Sequence, residues 1–170
     1  MTPVAAQPSS FQELALGHAH RRNRVFCFWW IGMAFAIPGL AYAMAAAATG
    51  QSPETGLMTA ALGLVLSGVG WLLAIGPRFT RKPPRPATDF ARTDWEIGIA
   101  PGVAVGAPIT MLAILVALVT LTPKGTSPDV LPILSALAVF PVPISAALLY
   151  SRRHLLARRE ELYALWLARR

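Results

Sequence analysis

The chain has 170 residues, the length of one domain. Its apolar fraction of 55% exceeds the ~45–50% of soluble domains, and its charged fraction of 14% is well below the usual ~25%, which argues against a water-soluble globular protein. The net charge of +7 lies in short clusters between long uncharged runs, without a basic surface interleaved with aromatic residues, so a nucleic-acid partner is not expected.

Four apolar runs follow one another along the chain. They span Val25–Ala48, Gly56–Gly76, Ile97–Leu121 and Val130–Tyr150, with lengths of 24, 21, 25 and 21 residues, and none contains an ionisable Asp, Glu, Lys, Arg or His. About 20 helical residues cross a ~30 Å hydrocarbon core, where every backbone polar group must be paired within the protein. The runs therefore predict four transmembrane helices.

The segments between the runs determine the predicted topology. The turns at 49–55 and 122–129 are short, so the runs pair into two hairpins of the same orientation. Of the 15 basic residues, 14 fall in the N-terminal segment, the central segment and the tail, and only Lys124 lies on the other side. The positive-inside rule then places both termini in the cytoplasm. The excess of Arg over Lys and the abundant Ala suggest a bacterial source and thus the cytoplasmic membrane, by association only.

The predicted organisation is an all-α integral membrane four-helix bundle with helical extensions. Residues 1–24 form a cytoplasmic segment with a short helix that begins near Ser10, 25–76 the first hairpin, and 77–96 a basic, proline-rich cytoplasmic loop. Residues 97–150 form the second hairpin, and 151–170 an amphipathic helical tail. The tail carries two apolar rows at helical spacing, which are Leu155, Leu162, Trp166 and Leu156, Tyr163, Leu167.

Small residues recur at alternating spacings of four and three in the first three runs. Because there is little hydrophobic drive between helices in lipid, close backbone approach through small side chains supplies the packing. The predicted helix-packing residues are Gly32, Gly39, Gly63, Ser67, Gly70, Gly102 and Gly106. The same stripes include Ala36, Ala43 and Ala46 in the first run, Ala60 and Ala74 in the second, and Thr110, Ala113 and Ala117 in the third. The pattern leaves open whether each face meets a helix of this chain or of another subunit.

Two further patterns in the runs leave alternatives open. Prolines 38, 108, 132, 141 and 143 fall inside the runs and can kink their helices. A shift of 75 residues places Gly50–Glu54 on Gly125–Asp129, as a parallel duplication would, although good helix-start chemistry used twice gives the same match.

No motif indicates catalysis, a metal or a cofactor, so none is expected. His18 and His20 are interpreted as solvated interfacial residues, and Cys27 as a small buried apolar residue. Asp89, Asp94 and Glu96 are interpreted as balancing nearby basic residues, although they are the acids that an enzyme would use. The basic residues expected to contact lipid headgroups or a partner are Arg78, Arg81, Lys82, Arg85, Arg152 and Arg153.

The sequence favours a non-enzymatic accessory or scaffold subunit of a larger bacterial membrane assembly, related to export or transport. Its expected partners are membrane lipids and either other membrane subunits or further copies of itself. The absence of ionisable residues in the runs argues against a self-contained ion-coupled transporter. The alternatives are a stand-alone transport or immunity-type protein that binds an apolar or peptide substrate, and third a membrane enzyme acting on lipid.

Overall fold

A computed structural model describes residues 11–75, 88–121 and 130–168 of the chain. These residues form five helices: α1 (Phe11–Ala48), α2 (Glu54–Ile75), α3 (Thr88–Leu121), α4 (Val130–Val139) and α5 (Pro141–Leu167). No strand occurs among the described residues. The all-helical prediction is therefore confirmed.

Four helices are long and apolar enough to cross a membrane, which is the character of a multi-pass membrane protein. They are Phe26–Ala48, Glu54–Leu73, Trp95–Leu121 and the combined α4–α5 segment Val130–Leu167. The last of these is interrupted at Phe140, one residue before Pro141, which lacks the N–H that would continue the helix. The backbone of Phe140 keeps helical angles, so α5 continues the path of α4. By contrast, α1 runs unbroken through Pro38, and α3 through Pro101 and Pro108.

The turn between α1 and α2 closes as the sequence predicts. Gly50 has a positive φ of 74°, and the N–H of Gln51 donates to the Ala46 carbonyl over 2.8 Å, which together form a Schellman helix end. The Ser52 hydroxyl then accepts a long 3.4 Å hydrogen bond from the N–H of Glu54, as a helix N-cap does. The predicted helix starts at Ser10 and Ser127 lie outside the described residues.

Both α1 and α3 begin well before their apolar runs. Residues 11–24 are continuous with the first span rather than a separate short helix, and α3 begins at Thr88, inside the predicted loop. Charged residues end an apolar run without ending a helix, and no Pro or Gly lies between Gly17 and Gly32 to break α1. Helix α5 likewise continues past its apolar run, as predicted, to Leu167.

The helix extensions meet at the end of the bundle that carries Phe11 and Leu167, here called the terminal end. The rings of Phe11 and Tyr163 lie 5.1 Å apart, edge to face. Leu16 and Ala19 of α1 form an apolar cluster with Leu155 and Leu162 of α5, and Ile97 of α3 packs against it. The extensions thus build a small helical core beyond the spans.

Candidate functional site

The first hairpin is held together by the small residues that the sequence singles out. Every member of the α1 stripe is buried, and so are Ala60, Gly63, Ser67 and Gly70 of α2; the side chain of Ala74 lies outside the described part. A Cβ added at Gly39 would lie 2.6 Å from the Ala60 nitrogen, and one added at Gly56 would lie 2.6 Å from the Gly39 carbonyl oxygen. Each backbone occupies the space that a side chain on the other would need.

The same relation holds one repeat further along. A Cβ at Gly32 would clash with the Gly63 carbonyl and with Ser67, and a Cβ at Gly63 would clash with Ala36. Gly70 lies against the backbone of Phe28 and Trp29. The buried Ser67 hydroxyl donates to the Trp29 carbonyl over 2.8 Å, which ties the two helices by a hydrogen bond that water cannot replace in lipid.

The small-residue stripe of α3 is arranged differently. A Cβ added at Gly102 or Gly106 would meet nothing within 4 Å. The residues of α3 that are buried are Ala100 and Ala104, on roughly the opposite side of the helix. The predicted contact of Gly102 and Gly106 with another helix is therefore not made within the described part of this chain, and a contact with another subunit stays a prediction.

Other polar residues, which the sequence analysis passed over, link the remaining helices. The Ser145 hydroxyl of α5 donates to the Ala104 carbonyl of α3 over 2.7 Å. The Ser135 hydroxyl of α4 lies 2.7 Å from the Pro132 carbonyl and 3.2 Å from that of Ala41 in α1. Serine hydroxyls within apolar runs, rather than ionisable groups alone, were the signal that could have found these links.

The histidines of α1 lie inside the terminal end. His18 is 5% exposed and His20 is 4% exposed, so the interpretation of solvated histidines is wrong. The His18 ring lies 5.7 Å from that of Trp166 and 6.2 Å from that of Tyr163, both on the α5 extension. Only the packing of α5 against α1 buries these rings, and a local sequence pattern does not show it.

Aromatic rings of α1 and α5 meet where the extensions join the spans. Phe26 and Trp29 stack with ring centroids 5.6 Å apart, and Tyr150 lies 5.7 Å from Phe26 and stacks on His154 at 5.8 Å. His154 lies beyond the apolar run of α5. Burial, followed by the positive charges of Arg158 and Arg22, lowers its pKa below the ordinary value, which favours the neutral ring.

A cavity of about 120 Å³ lies at the same level, between α1, α3 and α5. The residues on each helix recur at spacings of three or four, so they share one helix face. The lining residues are His20, Asn23 and Cys27 of α1, Glu96, Ile97 and Ala100 of α3, and Leu148, Ser151, Arg152 and Leu155 of α5. Three helices thus bring polar groups together that are far apart in the sequence.

The charged groups of the cavity come from α1, α3 and α5 in turn. His20 Nδ1 lies 3.6 Å from a carboxylate oxygen of Glu96, and Arg152 Nε donates to the Ile97 carbonyl over 3.3 Å. Asn23 is 8% exposed, and Cys27 is half-buried in the lining rather than enclosed in an apolar core. The part of the chain that the structure describes holds no cluster of three or more His, Cys, Asp or Glu side chains suited to a metal.

The predicted headgroup contacts separate into two kinds. Arg152 is half-buried and lines the cavity, whereas its neighbour Arg153 is exposed. Arg78, Arg81, Lys82 and Arg85 lie outside the described residues, and so do the side chains of Asp89 and Asp94. The pair of adjacent arginines therefore offers one side chain turned to the bundle and one turned away from it.

Comparison with known proteins adds no relative. No protein-family model, no curated protein and no solved structure matches this chain. The functional argument therefore depends on the two features above, the outward-facing stripe of α3 and the polar cavity at the terminal end.

Proposed function

We propose that this chain is a non-enzymatic accessory or scaffold subunit of a larger bacterial membrane assembly, of the kind that serves export or transport. In this proposal it resides in the cytoplasmic membrane with both termini in the cytoplasm. The basic asymmetry of the sequence supports that orientation, and so does the meeting of Phe11 and Tyr163 at one end of the bundle.

The observation that carries the proposal is the open small-residue face of α3. Only 6% of the apolar part of this helix is buried inside the chain, against 39% for α1, although α3 is the most apolar of the four spans. Its Gly102, Gly106 and Thr110 leave a shallow groove along that open side. In lipid, such a groove allows the backbone of another helix to approach closely.

A second helix in that groove would resemble what α2 already does against α1. There, glycines of both helices face the backbone of the partner, and a serine hydroxyl adds a hydrogen bond. Thr110 is exposed on α3 and offers the corresponding hydroxyl to an outside helix. The geometry therefore favours a partner with a small-residue stripe of its own.

The test is purification of the tagged chain in mild detergent, with two matched glycine variants. Gly106→Leu fills the groove of α3, whereas Gly68→Leu adds the same side chain on α2, where a Cβ also meets nothing. We expect the wild type and Gly68→Leu to carry a membrane partner in fixed stoichiometry and Gly106→Leu to lose it.

Two outcomes would overturn the proposal. One is a partner that stays bound in Gly106→Leu as well as in Gly68→Leu, because the groove would then not be the binding surface. The other is a chain that purifies alone and still confers transport or resistance on cells, which would favour the stand-alone alternative.

A further inference from the structure

The cavity at the terminal end combines two opposite charges with apolar walls. The carboxylate of Glu96 enters from α3, and the guanidinium of Arg152 enters from α5. The structure shows no ion pair between these two side chains. Arg152 uses Nε for the Ile97 carbonyl, and its two terminal nitrogens are further donors in a fixed fork.

Neutral polar groups lie between the charges. Asn23, which is more than nine-tenths buried, lines the cavity with a carboxamide that can both donate and accept, and Ser151 adds a hydroxyl. Among the described residues, no hydrogen bond is recorded for the Asn23 carboxamide. A buried polar group of this kind costs free energy unless a ligand or water satisfies it.

The position of the cavity restricts the source of its ligand. His20 and Asn23 precede the first span, Glu96 lies at the start of the third, and Arg152 follows the apolar run of the fourth. This level is where the headgroups of a bilayer lie. Ile97, Ala100 and Leu148 make the walls apolar on the side of the spans.

The size restricts the ligand further. A volume of 120 Å³ corresponds to about four water molecules at ~30 Å³ each, far below the ~300–1,000 Å³ of pockets for drug-sized molecules. It suits a small polar group attached to a longer apolar molecule outside the cavity. The charges require that group to carry both an anion and a cation.

We propose that this cavity binds the headgroup of a phospholipid that has a primary ammonium beside its phosphate, of which phosphatidylethanolamine is the simplest. The phosphate accepts hydrogen bonds from Arg152, and the ammonium donates to Glu96, with Asn23 between them. The acyl chains lie along the apolar walls. This site is independent of the α3 groove and of any protein partner.

The chemistry predicts a specific order among lipids. Phosphatidylcholine carries a quaternary ammonium without an N–H, and phosphatidylglycerol has no cation, so neither can donate an ammonium hydrogen bond to Glu96. A charge-assisted hydrogen bond of this kind corresponds to about tenfold in binding. We expect the ethanolamine lipid to be retained about tenfold over the choline lipid.

The experiment measures the lipids that stay bound to the full chain, by native mass spectrometry after reconstitution in nanodiscs with equal amounts of the three lipids. Arg152→Gln should reduce the retention of the ethanolamine lipid about tenfold. Glu96→Gln should abolish the preference for ethanolamine over choline. Arg153→Gln, which removes the neighbouring exposed charge, should leave both unchanged.

A variant that fails to fold would lose lipid for a trivial reason, so each is first checked for helicity and for its elution as a single species. Asn23→Ala provides an independent arm, because it removes no charge and should still weaken ethanolamine-lipid retention. Free phosphoethanolamine is added as a competitor and should compete poorly, because it leaves the apolar walls uncovered.

Three results would overturn the proposal. The first is equal retention of the three lipids by the wild type. The second is an equal loss in Arg153→Gln and Arg152→Gln, which would mean nonspecific attraction of headgroups to surface charge. The third is displacement of the lipid by an equal concentration of phosphoethanolamine, which would assign the cavity to a free ligand.

Discussion

The two hairpins use the same kind of residue in opposite ways. In the first, Gly32 and Gly39 of α1 lie against the backbone of α2, and the stripe is consumed within the chain. In the second, Gly102 and Gly106 of α3 face away from α5, and the buried contact is made by Ala100 and Ala104. The difference shows that spacing identifies which residues share a helix face, while only the tertiary structure shows what that face meets.

One feature is shared by both hairpins. The Ser67 hydroxyl bonds to the Trp29 carbonyl, and the Ser145 hydroxyl bonds to the Ala104 carbonyl. The two acceptors are 75 residues apart, the same shift that aligns the segment after α1 with the segment before α4. The two donors are 78 apart, so the correspondence holds for one helix of each pair and not for the other.

The largest expected effect comes from filling the α1–α2 contact. Gly63→Leu places a side chain where the backbone of Gly32 and Ala36 lies, and neither backbone can move without separating the helices. We expect a loss of about 3 kcal/mol or more, the upper range for overpacking, in reversible unfolding in detergent micelles. Gly68→Leu should stay within ~0.5 kcal/mol of the wild type, since its Cβ meets nothing. Equal stability of the two variants would contradict the account.

A second large effect is expected at the terminal end. Trp166 is 8% exposed and packs beside Ala15, Tyr163 and the His18 ring, so Trp166→Ala should destabilise the extensions by about 3 kcal/mol. Limited proteolysis should then release the α5 extension. Leu167→Ala removes a side chain that is 44% exposed and should leave the cleavage rate unchanged, whereas equal cleavage in the two variants would show that no core forms there.

Much of this fold follows from the sequence, for identifiable reasons. The four spans follow from uncharged runs of sufficient length, and the α1–α2 contact follows from stripes that include Gly32 and Gly63. The early start of α1 does not follow, because the charges near Arg22 limit a span and not a helix. The burial of His20 and the cavity around Asn23 depend on residues more than 70 positions away, and local periodicity carries no such information.

The smallest effects are expected from the interhelical serines. Ser67→Ala and Ser145→Ala should each cost about 0.6 kcal/mol, the average for hydrogen bonds between membrane helices. Thr120→Ala is the control, because its hydroxyl bonds only to the Val116 and Ala117 carbonyls of its own helix. Similar losses at Ser67 and Ser145, with no loss at Thr120, would show that the two hairpins share this bond. A loss at Ser67 alone would mean that the second hairpin is held by packing only.

The most direct test of the central claim is site-specific photo-crosslinking from α3 in native membranes. A photoreactive residue is placed at Gly106 or Thr110 in the stripe, or at Leu112, which is 62% exposed on another side of the helix. We predict a protein adduct of one discrete mass from positions 106 and 110, and lipid adducts alone from position 112. Lipid adducts alone from all three positions would show that lipid covers the α3 stripe, and would contradict the account.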